Sequence, residues 1–288
     1  MPTVRETTVF ADGPGGGNLC PVVFDADGLA DAQLQAMAAR FGHETAFAVA
    51  PTDGADVRLR YFVPRHEMEM CVHATVAATV LLGRDGQLPR NPAVVQTPLG
   101  DIDVWWDAVA ARALVAQFPP RFDPPVADGA AVLAALRSRT AAGEVLAVST
   151  ARPKLLVPLP DEAALDGLRP DFATLWALCD RLGATGLYAY TLAARGADAA
   201  ARQFPVRAGY DEDPATGVAA CALGAYLARG RPDGWHRARI AQGRAMGRPS
   251  IIEAEALVDA GTVTATRVGG TMTEDDARPG RTDDATAT

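Results

Sequence analysis

A proline-rich segment near the middle of the chain constrains the fold more than any other feature of the sequence. Residues 118–125 read FPPRFDPP. Proline fixes φ and lacks the N–H that a helix or a central strand needs, so neither can run through this segment. The 288 residues therefore divide into halves of about one domain each. We predict an N-terminal lobe over residues 1–117 and a C-terminal lobe over residues 118–272.

Short strands outnumber helices on both sides of this segment. Apolar and basic residues alternate over 57–63, which is the period-two pattern of a half-buried strand. Helices are predicted over Asp31–Phe41, from its i, i+3, i+4, i+7 apolar spacing, and after Asp171, which is a suitable N-cap. Further strands are predicted over residues 4–10, 22–24, 102–106, 155–159, 187–191 and 262–267.

The last sixteen residues and a short internal sequence repeat give further information on how the chain is divided. Residues 273–288 are rich in acids, Thr, Pro and Gly and have almost no apolar side chains, which predicts a flexible tail. The sequences HATVAA from His73 and PATGVAA from Pro214 each precede an Ala-rich apolar segment. Together with the proline-rich midpoint, this repeat favours two related lobes.

Composition excludes several classes of partner. A net charge of −8 and a pI near 5.0 disfavour nucleic acid, which is bound by clustered Lys and Arg. No apolar stretch is long enough to span a bilayer, and the charged N-terminus lacks a signal-peptide core. The four cysteines form no CxxC pair, so we expect reduced thiols, no metal site and a cytoplasmic protein.

Glu44 is the first candidate for chemistry, because it lies between a predicted helix and an apolar strand. Partial burial there raises the pKa of a carboxyl group and suits it to proton transfer near neutral pH. From spacing alone, a solvated loop residue is the simpler interpretation.

The sequence CVHAT at residues 71–75 is the second candidate. Glu67, Glu69 and Cys71 alternate along a predicted strand, which suggests a metal site if His73 joins them. We disfavour that site, since such a run is more often one solvated strand face and the helix start turns His73 away.

Asp213 is the third candidate, and we predict it as the N-cap of a helix with Pro214 at the first helical position. If this helix start and the one at His73 face each other across a cleft, their free N–H groups form a seat for a carboxylate. The Gly-rich residues 12–18 lack the spacing of a nucleotide-binding loop, and we interpret them as a turn that approaches the substrate.

Five motifs, taken in order, resemble the PhzF-like family of phenazine-biosynthesis isomerases. The family has a Glu-Thr-Ala-Phe motif and, in many members, CGHAT. The resemblance spans residues 4–268. The five motifs of this chain are VFAD with GN (9–12, 17–18), ETAF (44–47), CVHAT (71–75), EDPATG (212–217) and QG with MGRPS (242–243, 246–250).

The resemblance implies the diaminopimelate-epimerase-like fold: an α+β protein of two pseudo-symmetric lobes, each a mixed β-sheet wrapped around a central helix. It also implies an active site between the lobes, a homodimer and no cofactor. In the type member the conserved Glu shuttles a proton during isomerisation of a cyclic dihydro-hydroxyanthranilate, assisted by His and Asp. Those roles fall here on Glu44, His73 and Asp213.

Two departures from the family pattern bear on the substrate. Val72 stands where Gly is usual, and Val218 stands where Ser is usual, so we expect a narrower and more apolar pocket. The phenazine precursor is then a poor fit, and we expect another small unsaturated, amino-acid-derived carboxylic acid of a secondary-metabolite or antibiotic pathway. The expected substrate-binding residues are Asn18, Cys71, Val72, Gly217 and Val218.

Two other functions remain open at this point. Epimerases and racemases of the same fold use two cysteines on opposite faces of one carbon, whereas this chain pairs Cys71 with Asp213 at the corresponding positions. The second alternative is a non-catalytic protein that binds a small acid. Exchange of substrate hydrogen with solvent, with or without a double-bond shift, separates the three functions.

Overall fold

The computed structural model describes residues 2–52 and 54–274. Strands and helices follow one another in both halves. The first half contains β1 (Thr3–Val9), β2 (Asn18–Phe24), α1 (Asp31–Phe41), β3 (Thr45–Val49), β4 (Val57–Phe62), β5 (Glu67–Met68), α2 (Val72–Arg84), β6 (Ala93–Thr97), β7 (Gly100–Asp107) and β8 (Arg112–Gln117).

The second half adds eight strands and four helices to those of the first half. They are β9 (Arg121–Pro125), α3 (Gly129–Ala135), β10 (Leu146–Ser149), β11 (Lys154–Pro158), α4 (Glu162–Asp166), α5 (Phe172–Arg181), β12 (Gly186–Thr191), β13 (Ala199–Pro205), α6 (Gly217–Ala228), β14 (Gly234–Gln242), β15 (Ser250–Asp259) and β16 (Thr262–Glu274). Few helices beside a large sheet confirm the α+β class.

Strand β16 joins the two halves. The first half pairs in the order β1-β2-β3-β4-β6-β7-β8, and β16 pairs with both β8 and β1, which closes this sheet into a ring around α2. The second half continues from β16 in the order β15-β14-β13-β12-β11-β10-β9, with α6 packed against β14, β15 and β16. Each half therefore wraps a sheet around one helix, as the resemblance implied.

The two central helices are apolar on all sides. Residues 72–82 of α2 and 217–225 of α6 are all buried. An α-helix without a polar face is stable only inside a core, and the many small Ala side chains let the surrounding strands approach closely. Both helices begin at the junction between the halves, and this position builds the site described below.

Most local predictions are confirmed. Helix α1 spans Asp31–Phe41, and the Asp171 carboxylate caps α5 by accepting the N–H of Thr174. In the proline-rich segment, residues 121–125 form only the edge strand β9, which pairs with β10, where missing N–H donors are tolerated. No helix among the described residues is long and apolar enough to cross a membrane.

The predicted tail starts inside the last strand. Thr273 and Glu274 pair with β1 as part of β16. The rest of the predicted tail, residues 275–288, lies outside the described residues.

Candidate active site

Glu44 lies in the turn between α1 and β3, and its side chain is only 14% exposed. It is therefore not a solvated loop residue. Its Oε1 accepts a hydrogen bond from the Tyr210 hydroxyl. Its Oε2 accepts a hydrogen bond from the Cys71 thiol, with an S–O distance of 3.1 Å, and lies 3.3 Å from His73 Nε2. Three groups from two different chain segments thus fix the orientation of this carboxylate.

The protonation states around Glu44 follow from burial and from these contacts. Burial raises the pKa of Glu44, but His73, Tyr210 and Cys71 outweigh it and hold that pKa below its ordinary value. Burial lowers the pKa of His73 despite the opposing effect of Glu44, and it raises the pKa of the Cys71 thiol well above its ordinary value. At neutral pH a carboxylate therefore faces a neutral imidazole and a neutral thiol. The expectation of a raised Glu44 pKa was wrong.

Asp213 is the carboxyl group whose pKa is raised, to about 7, because of burial and the nearby Glu44 charge. Asn18 Nδ2 donates to its Oδ1 at 2.7 Å, and the Thr216 hydroxyl donates to its Oδ2. The backbone N–H of Ala215 also favours its ionised form. Near neutral pH, Asp213 is consequently poised between carboxylic acid and carboxylate.

The predicted capping role of Asp213 is wrong. Helix α6 begins at Gly217 with Thr216 as its N-cap, so Asp213 and Pro214 both precede the helix. The cause is the short turn 213–216, which Gln242 holds by donating to the Asp213 carbonyl and accepting the Thr216 N–H. This turn carries the Asp213 carboxyl group to the cavity instead of to the helix end.

The starts of α2 and α6 meet at the junction between the halves. A Cβ on Gly217 would lie 2.4 Å from Cγ1 of Val72, so only glycine permits this approach. Neither N-cap, Cys71 or Thr216, makes a side-chain capping bond to its helix. The first N–H groups of both helices are therefore available to an anion, with the positive ends of both helix dipoles beside it.

A cavity of about 50 Å³ lies at this junction. Of the residues predicted from the sequence, it brings together Glu44, Cys71, Val72, His73, Asp213, Gly217 and Val218. The remaining predicted residue, Asn18, does not line the cavity and instead donates a hydrogen bond to the Asp213 carboxyl group. The Gly-rich residues 12–18 are also elsewhere, since the N–H groups of Asp12 and Gly17 both bind the Pro249 carbonyl.

The sequence reasoning missed several polar residues of the cavity, among them Arg152, Lys154, Gln203 and Tyr210. Tyr210 lies only three residues before Asp213, but nothing in its spacing places its hydroxyl on Glu44. Lys154 did offer a signal, because it is the only lysine in a chain with 26 arginines.

One group of donors could hold a metal ion. Glu44, Cys71 and His73 each offer a ligand atom within 4.8 Å of the others, and zinc accepts this set. The hydrogen bond from the thiol to Glu44 accounts for the same cluster without a metal. The predicted run through Glu67 and Glu69 is not part of the cluster, since Glu67 pairs with Arg60 and Glu69 with Arg152.

Comparison with known proteins gives a consistent assignment. Residues 7–274 match the family described as phenazine biosynthesis-like protein, PhzC-PhzF. The Uncharacterized isomerase YddE of Escherichia coli is 32% identical, with 88% of this chain and 89% of that protein covered. The trans-2,3-dihydro-3-hydroxyanthranilate isomerase of Pseudomonas aeruginosa is 31% identical, with coverages of 91% and 92%.

Solved structures share the fold. A PhzF-family phenazine biosynthesis protein of Bacillus anthracis superimposes with a TM-score of 0.83 at 22% identity, covering 95% of this chain and 96% of that one. A probable proline racemase from Agrobacterium radiobacter superimposes with a TM-score of 0.64 at 13% identity, with coverages of 98% and 94%. These identities carry the fold alone.

Proposed function

The chain belongs to the phenazine biosynthesis-like PhzC-PhzF family and is an isomerase, and from this premise we propose its reaction. It moves a proton and a double bond within a small unsaturated, amino-acid-derived carboxylic acid, without a cofactor, through Glu44. The observation that carries the proposal is a buried, ionised Glu44 on the same cavity as Asp213, whose pKa is about 7. Two carboxyl groups with separated pKa values hold different protonation states at the same pH, so that Glu44 is the base while protonated Asp213 is a hydrogen-bond donor.

In the first step, the Glu44 carboxylate takes a proton from a carbon next to the double bond. The C–H bond breaks, an O–H bond forms on Glu44, and the electron pair spreads through the conjugated system toward the substrate carboxylate. In the second step, Glu44 returns the proton to a carbon further along, and the double bond has moved. One carboxyl group serves both steps, so no other proton donor is consumed.

The charge that develops on the substrate carboxylate is stabilised at the helix starts. N–H groups at the beginning of α2, at Val72 and His73, and of α6, at Gly217 and Val218, face the same junction. Such donors are already oriented before the reaction and need no rearrangement as charge builds up. His73 and the protonated Asp213 position the substrate by hydrogen bonds.

A two-thiol racemase is less well supported. Cys71 lies beside Glu44, and burial and that charge keep its thiol protonated, with a pKa well above its ordinary value. Cys221 lies within α6 and does not line the cavity. A pair of thiols facing one carbon is therefore not supported by the residues of this cavity.

Solvent exchange tests the reaction directly. Candidate unsaturated acids are incubated with the protein in deuterated water and followed by NMR. We expect deuterium incorporation together with a shifted double bond, because the O–H hydrogen on the 14% exposed Glu44 carboxyl group exchanges with solvent between turnovers and before the proton is returned. Exchange at one stereocentre without a shift would support the epimerase, and a tightly bound acid without exchange would support a binding protein. The homodimer and the biosynthetic pathway stay predictions. Light scattering measures whether the protein is a dimer.

A further inference from the structure

Gln203, on β13, is a buried amide that has no hydrogen-bond partner among the described residues. Its side chain lines the cavity and is 1% exposed, and neither Oε1 nor Nε2 makes a hydrogen bond within the part of the chain that the structure describes. About nine in ten buried polar atoms in proteins are hydrogen-bonded. The other buried side-chain atoms without partners among the described residues, on Thr79, Gln117 and Thr150, belong to residues that do not line the cavity.

Lys154, on β11, is another buried polar group of this cavity that lacks a partner in the described part of the chain. It lines the same cavity and is 4% exposed, and within residues 2–52 and 54–274 its ammonium group makes no hydrogen bond or ion pair. A buried ammonium without an anion is unfavourable. Burial, helped by Arg152 and opposed by Asp213 and Glu44, lowers its pKa to about 7.

The choice of lysine at this position is informative. The chain uses arginine at 26 positions and lysine only here. A guanidinium stays protonated throughout the physiological range, whereas a buried lysine can lose its proton and become neutral. Lys154 can therefore be neutral in the free protein and become charged when an anion binds beside it.

Sheet geometry places Lys154 and Gln203 on the same side. Strands β11 and β12 pair Leu155 with Leu187, and β12 and β13 pair Tyr188 with Gln203. Alternation along the strands then puts Lys154 and Gln203 on one face of the sheet. Gly186 lies between them, and a Cβ there would lie 2.5 Å from Gln203 Nε2, so glycine leaves room for the amide.

We propose that Lys154 and Gln203 bind a second carboxylate of the substrate, so that the enzyme acts on a small unsaturated dicarboxylic acid. Lys154 Nζ and Gln203 Nε2 donate to the two carboxylate oxygens, and Gln203 Oε1 accepts a hydrogen from the ammonium group or from the substrate. This inference rests on the proposed function for the first carboxylate, which lies at the helix starts.

Matched pairs of probe acids test the subsite. Crotonate carries a methyl group where fumarate carries a second carboxylate. Sorbate and trans,trans-muconate differ in the same way. By calorimetry at pH 7, we expect the diacid of at least one pair to bind at least about tenfold more tightly. Lys154→Met and Gln203→Leu remove that preference but leave monoacid affinity within about twofold. Equal affinities in both pairs, or an unchanged preference in Lys154→Met, overturn the proposal.

Two controls isolate the subsite from other effects. Arg121→Met removes an exposed positive charge on β9 and keeps the diacid preference. Glu44→Gln also keeps the preference, so a failed reaction assignment is distinguishable from a failed subsite. Loss of the preference in Arg121→Met would show a general charge effect and overturn the proposal.

A single lysine also permits a direct observation. Protein grown with isotopically labelled lysine gives one side-chain NMR signal, and its titration reports Lys154 alone. We expect a pKa of about 7 in the free protein and a rise of at least about one unit when the preferred diacid binds, but not when its monoacid partner binds. The same shift with both acids, or none with either, contradicts the proposal.

Discussion

The two sides of the cavity differ in how completely their polar groups are satisfied. On the side of the first half, Glu44 is bonded by Cys71 and His73, and by Tyr210 from the opposite side. On the side of the second half, Lys154 and both polar atoms of Gln203 lack partners among the described residues. The difference suggests that the two sides have different roles. The hydrogen-bonded Glu44 carboxylate performs the proton transfer, and the polar groups without partners on the other side bind the ligand.

The largest expected effect is on stability, at Lys154. Its pKa is lowered on folding from 10.5 to about 7. The free energy of unfolding therefore falls as the pH drops from about 10.5 to about 7 and levels off below that. Lys154→Met lacks this slope and should be more stable at pH 6 by at most about 5 kcal/mol.

Urea unfolding of wild type and Lys154→Met at several pH values measures this difference. A difference that does not change between pH 6 and pH 10 would contradict an unsatisfied lysine on this side of the cavity.

The next effect is on catalysis, at Asp213. Asp213→Asn keeps the size of the side chain but replaces the O–H donor of the carboxylic acid with a weaker amide N–H donor, and we expect turnover to fall by about 10² to 10³-fold. Because Asp213 acts in its protonated form and its pKa is about 7, wild-type activity should decline as the pH rises through 7. The residual activity of Asp213→Asn should lack this decline, which a pH–rate profile measures.

The smallest effect is expected at Tyr210, the positioning residue that reaches Glu44 from the second half. Its hydrogen bond lowers the pKa of Glu44. In Tyr210→Phe that pKa rises, so the acid limb of the pH–rate profile moves to higher pH, and turnover falls by about tenfold. An unmoved acid limb would mean that Tyr210 does not orient the base.

Local patterns predicted most helices and strands, whereas the fold and the predicted site residues on both sides of the cavity followed from the resemblance to the family. Alternation located most strands, and the resemblance to the family, rather than spacing, placed Glu44 and His73 in one site. Lys154 and Gln203 lie on strands β11 and β13, whose apolar pattern in the sequence predicts only that the strands are buried. The two side chains share one face of the sheet because β12 pairs with both strands. Such nonlocal pairing leaves no spacing in the sequence. The capping role of Asp213 was predicted wrongly for a similar reason, since its turn is held by the distant Gln242.

The most direct measurement is the rate of deuterium exchange into a substrate by Glu44→Gln. The amide keeps the shape of the side chain but cannot accept the proton, so we predict a loss of about 10² to 10⁴-fold with ligand affinity and folding retained. Glu6→Gln, at an exposed position of β1, is the matched control and exchanges at the wild-type rate. Undiminished exchange by Glu44→Gln would contradict the assignment of Glu44 as the base.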